Sequence, residues 1–220
     1  MIDTGLSSPA MSYSLREEIA SSLIHGLGIV LSIAGLATLV GFAVRSGGAR
    51  EIVSVAVYGT TLILLYTAST LYHGVPVVRA KPVLRLLDHA AIFLLIAGTY
   101  TPFTLLTLQG RWGLVLFVLV WGLALAGISL ELRRVRNRVL MATLYVALGW
   151  IGLVAIGPLR ENLEAPGLWL LFGGGAAYTL GVPFYLWKRL PYSHAVWHGF
   201  VLLGSVLQFF AVLFYVLPRA

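Results

Sequence analysis

Residues 193–217 read SHAVWHGFVLLGSVLQFFAVLFYVL, and from Ala195 to Leu217 the stretch contains no Asp, Glu, Lys or Arg. A bilayer core is crossed by about 20 helical residues, so this segment is long enough to span. Six more such runs precede it, near 19–44, 52–73, 86–108, 111–130, 139–157 and 167–187, and the seventh lies near 195–217. Between them stand RSGGAR, VPVVRAKPVLR, QGR, ELRRVRNR, PLRENLEAP and KRLPY, rich in Arg, Gly and Pro as connecting segments are. The sequence therefore predicts an all-α membrane protein, a bundle of seven transmembrane helices forming one domain over residues 1–220.

Composition agrees: 59% of the chain is hydrophobic and 10% charged, against about 25% charged in soluble domains. There is no cysteine, so disulfides, thiolate metal sites and a cysteine nucleophile are excluded, and any metal must be held by His, Asp or Glu. The formal charge of +7 does not point to nucleic acid, because most of the basic residues lie in short loops between apolar runs. The first 18 residues are polar and do not read as a cleaved signal peptide. With seven spans, ten Lys and Arg fall on the side of the N-terminus and five on the other, which predicts a cytoplasmic N-terminus and an outer C-terminus. Small residues in HGLGIVLSIAGLATLVG and GGGAAY suit close helix packing. Pro102 and Pro183 are expected to kink spans three and six.

Ionisable residues in apolar spans mark sites. His25, His73, His89, His194 and His198 all fall at span ends on one predicted face of the membrane, and Asp88 is at the same level. His194 and His198, four apart, lie on one helix face about 6 Å apart along the axis, and two imidazoles so placed can share an ion. His73 supplies a third nitrogen, with Ser69 one turn before it. Asp88 can ligate the metal, orient a ligand histidine, or act as general base; the last is favoured, with Ser69 as hydrogen-bonding partner to a water or substrate oxygen. His89 is turned about 100° from Asp88 and is left outside the site. Glu17, Glu18 and His25 could form a separate hydrogen-bonded cluster. Three imidazoles suit Zn2+, and also nickel, copper or iron.

EEIASSLIHGLG in span one, STLYH ending span two, LDHAAIFLLIAGTYTPF in span three and YSHAVWHGF opening span seven resemble the hemolysin III family, which belongs with the progestin and adipoQ receptors (the adiponectin receptor-like superfamily). The resemblance runs from about residue 15 to the end. It implies seven helices, zinc near the cytoplasmic face on His73, His194 and His198, and a water held by Asp88 and Ser69. Related alkaline ceramidases share that arrangement, so the resemblance implies a zinc-dependent hydrolase cleaving an amide or ester bond of a membrane lipid or lipid-like, ceramide-like substrate in the bacterial cytoplasmic membrane. The alternatives are a non-enzymatic receptor or sensor stapled by zinc, and a pore former of the kind the family name suggests. The short N-terminal segment departs from the receptors, so an adiponectin-like ligand is not expected.

Overall fold

In hydrocarbon every backbone amide must find its partner within the protein, and a helix achieves this within one segment. The computed structural model describes residues 14–46, 48–108, 110–135 and 137–219, and among them there is no strand. Its α-helices are α1 (Leu15–Ser46), α2 (Ala49–Gly74), α3 (Lys81–Pro102), α4 (Gly110–Leu132), α5 (Arg138–Trp150), α6 (Ile156–Asn162), α7 (Ala165–Leu186) and α8 (Ser193–Ala211). They make seven spans, Leu15–Arg45, Ala49–Gly74, Lys81–Thr107, Gly110–Leu132, Arg138–Asn162, Ala165–Leu186 and Ser193–Val216. The fifth joins α5 to α6 through a 3-10 segment, Ile151–Ala155, while π-helical turns extend the third and seventh.

The boundaries differ from the hydropathy pattern where polar residues suit a helix start. α3 begins at Lys81 rather than near 86, because Pro82 falls in the first turn, where its missing N–H costs nothing. α1 takes in residues 15–18 of the expected polar segment, with Glu17 and Glu18 in its first turn; residues 1–13 of that segment lie outside the described residues. At Pro102 the α-helix gives way to the π-helical turn Phe103–Thr107, whereas α7 continues through Pro183 to Leu186.

Helix packing follows chain order: α1 on α2, α2 on α3, α3 on α4, and α7 on α8, with α8 returning to α1 and α5 meeting α3, α4 and α7 more sparsely. Two glycines permit close approaches to α2. A Cβ on Gly28 would lie 2.5 Å from the Tyr66 ring, and one on Gly98 would lie 2.0 Å from the Thr61 hydroxyl. Both fit the use of small residues where membrane helices touch. By pressing α1 and α3 onto α2, these contacts bring the start of α1, the end of α2 and the start of α3 to one end of the bundle, where the start of α8 meets α1.

Candidate metal centre

On α2, Ser69 and His73 are one turn apart and both are buried. On α8, His194 and His198 share a face and are buried too. The three imidazoles converge: His73 Nε2 lies 3.2 Å from His194 Nε2 and 3.2 Å from His198 Nε2. Nitrogens about 2.0–2.1 Å from one tetrahedral zinc stand roughly 3.3–3.4 Å apart, so the spacing matches a shared ion. The ligand atoms of the three residues all lie within 4.8 Å of one another, so they could hold a metal ion.

The far sides of the rings support this donor set. His73 Nδ1 contacts Glu18 Oε2 at 2.6 Å. A carboxylate only accepts, so Nδ1 carries the proton and Nε2 presents its lone pair to the cluster. His198 Nδ1 contacts His25 Nε2 at 2.6 Å, which allows the same tautomer in His198. With all three Nε2 atoms unprotonated, their lone pairs would repel one another, and a bound cation would remove the repulsion. The carboxylate behind His73 stands where an outer partner orients a metal-ligating imidazole and raises its basicity.

Glu17 has a different task. Tyr192, which precedes α8, has a left-handed backbone with φ 59° and gives no side-chain cap. The Glu17 carboxylate accepts instead from the His194 N–H at 3.1 Å, a favourable place for negative charge at a helix start. α1 therefore anchors both ligand-bearing helices, α2 through Glu18 and α8 through Glu17 and His25. The sequence suggested that Glu17, Glu18 and His25 form a hydrogen-bonded cluster, but not that Glu18 and His25 meet His73 and His198, 55 and 173 positions away. Their apolar neighbourhood was the one available clue.

Asp88, on α3, is 3% exposed and has His89, His73, Ser69 and Arg85 around it. The Ser69 hydroxyl is buried and faces the Asp88 carboxylate. His89 faces away, with Nδ1 3.4 Å from Glu131, whose carboxylate also accepts from Tyr145 at 3.2 Å.

Two spaces lie beside this cluster, reached through its neighbours rather than lined by its three rings. An apolar cavity, with about 940 Å3 of atom-free space counting its mouth, runs from His25, Asp88 and Trp197 between the helices to Gln208. A wider groove, about 1640 Å3 counting the open solvent above it, lies beside it, lined by Glu18, Lys81, Arg85, His89, Arg134 and Arg138 among others. Tyr185 lines both, and its ring lies 6.3 Å from that of His194. The arrangement suits a molecule with a polar head and an apolar tail.

Comparison with known proteins places these residues in a family context. The family model described as Haemolysin-III related matches residues 13–209. The chain is 46% identical over 204 residues to the Hemolysin-3 homolog of Bacillus subtilis (strain 168), covering 92% of this chain and 96% of that protein. It is 47% identical over 211 residues to Hemolysin-3 of Bacillus cereus, covering 96% of each. At 27% identity over 205 residues it is similar to the Monocyte to macrophage differentiation factor of Homo sapiens, covering 89% of this chain and 83% of the human protein.

Proposed function

The chain belongs to the haemolysin-III related family, and with that as premise we propose that it is a zinc-dependent membrane hydrolase cleaving an amide or ester bond of a lipid-like substrate. Its support is the buried histidine cluster with Asp88 and Ser69 beside it, at the end of an apolar cavity that reaches Asp88, His25 and Trp197. The bias of Lys and Arg along the sequence supports a cytoplasmic position for this end.

His73, His194 and His198 hold the ion, and three neutral imidazoles match zinc. When bound, zinc supplies Lewis acidity and makes water acidic enough to be a nucleophile near neutral pH. The acyl chain occupies the apolar cavity and the head occupies the groove, which sets the scissile carbonyl at the cluster. Asp88 accepts the proton of the attacking water on its carboxylate and passes it to the leaving amine or alcohol. Ser69, whose buried hydroxyl stands beside Asp88, donates a hydrogen bond to the carbonyl oxygen as negative charge develops there. Glu18 and His25 keep their histidines in the required tautomer.

The test has two stages. Protein purified in detergent without affinity-tag metal is analysed for its elements, with His194→Ala/His198→Ala as control; about one zinc per chain, lost in the control, is expected. Release of fatty acid from N-acyl and ester lipids is then compared between wild type and Asp88→Asn. The variant should keep its zinc and lose at least ~100-fold in turnover, the usual loss of a general base. A second reading rests on the fact that the three ligands tie α2 to α8, as a staple in a non-enzymatic receptor would. Full zinc content with no lipid cleavage in the wild-type protein would favour the staple.

A further inference from the structure

The groove beside the metal centre carries an uneven set of charges. Lys81, Arg85, Arg134 and Arg138 line it, against the carboxylates of Glu18 and Glu131. Both carboxylates are engaged, Glu18 with His73 and with Lys81 at 3.8 Å, Glu131 with His89 and Tyr145. Lys81 also donates to the Tyr72 carbonyl. Arg85, Arg134 and Arg138 have no ion pair among the described residues. Loop topology alone accounts for arginines on this side of the membrane. It does not account for Arg138, whose Nη1 is withdrawn from solvent with no acceptor among the described residues, an arrangement that is costly unless a ligand supplies one.

Arg138 is also the residue that links groove to centre. Its Cζ lies 6.0 Å from the Tyr185 ring centroid, and it stands within electrostatic reach of His194. It occupies the first turn of α5, where the helix dipole adds positive potential. Asn137, also in the groove, caps that helix by accepting from the Leu140 N–H at 3.0 Å.

We propose that this groove binds the anionic headgroup of a membrane lipid, a phosphate or phosphate monoester, with Arg138 as the inner contact and Arg85 and Arg134 closing over it. Guanidinium groups match phosphate oxygens in pairs, and the apolar cavity beside them takes the chain. The assignment rests on the hydrolase reading insofar as it names the class of lipid presented to the metal centre, which is an anionic amphiphile rather than a neutral one.

Equilibrium binding keeps the two readings separable, because it needs no turnover. The probes are an ether-linked alkylglycerol phosphate and the same alkylglycerol without phosphate, each with one fluorescent chain and no bond that the proposed hydrolysis would cleave. Anisotropy is read on the full-length protein in a neutral detergent. The wild type should prefer the phosphate probe by about tenfold or more, the scale of one charge-assisted hydrogen bond. Arg138→Gln and Arg134→Gln, tested separately so that one misfolded variant does not decide the matter, should each reduce the preference, and Arg138 the more. Arg133→Gln, outside the groove, should retain it. Equal affinity of wild type for both probes, or an undiminished preference in both folded groove variants, would overturn the proposal. Displacement of the phosphate probe by inorganic phosphate at the probe's own concentration would also overturn it, since that marks a site for the free anion.

Discussion

His73 makes two commitments, with one nitrogen on Glu18 and the other facing His194 and His198. The contact with Glu18 fixes which nitrogen is available to a metal, so the carboxylate matters although it is not itself a ligand. Glu18→Gln keeps the size of the side chain and an accepting oxygen but removes the charge. Zinc affinity, measured by competition with a chelator, should fall ~10- to 100-fold with helical content unchanged; an unaltered affinity would leave Glu18 with only its contact to Lys81. At this scale the sequence was uneven in what it disclosed. His194 and His198, like Ser69 and His73, are visible because a helix turns chain spacing into a shared face. Glu18 and His25 were visible as polar residues in apolar surroundings, but the partners they meet are set by how α1 docks on α2 and α8, which no local periodicity encodes.

Elements were more legible, since a span needs only length and apolarity. The seven runs reappear as seven helical spans, and the shifts at Lys81 and Leu15 follow from first-turn chemistry that hydropathy ignores. The break within the fifth span was not legible, because 139–157 is apolar throughout except for small and aromatic residues. The α-helix ends at Trp150 and a 3-10 segment follows. Tyr100 from α3 joins the two parts, donating to the Gly149 carbonyl at 2.6 Å and accepting from the Gly152 N–H at 2.9 Å. Because the apolar cavity runs along this break, Tyr100 also helps shape the space assigned to the chain. Tyr100→Phe leaves both backbone groups without their partner, and should destabilise the protein by roughly 1–3 kcal/mol. A lower thermal midpoint with zinc retained is expected, and an unchanged midpoint would mean that the break closes without the hydroxyl.

For the whole molecule, the sequence contained the number of spans but not their closure, in which α8 returns to α1 and sets His198 against His25. Nor did it contain the cavity, which exists only between packed helices. Closure has a thermodynamic consequence. Every proposed ligand lies on α2 or α8, and α1, packed on both, carries Glu18 and His25 behind the rings. An ion bound there favours the assembled bundle over any state with the two helices apart. Stripping the metal with a chelator should therefore lower the thermal midpoint, and adding zinc back should restore it. At a hundredfold excess of free zinc over its dissociation constant the stabilisation is about 2.7 kcal/mol. The pH dependence has a definite sign, because protons compete for the same Nε2 lone pairs. The zinc-dependent part of the stability is present at neutral pH and is lost as the solution is acidified. Thermal scans at several pH values, with and without chelator, read this directly: the two curves should separate at neutral pH and converge in acid. Curves that coincide at every pH would show that the histidine cluster holds the bundle together without a metal, and the zinc-dependent hydrolase would lose its basis.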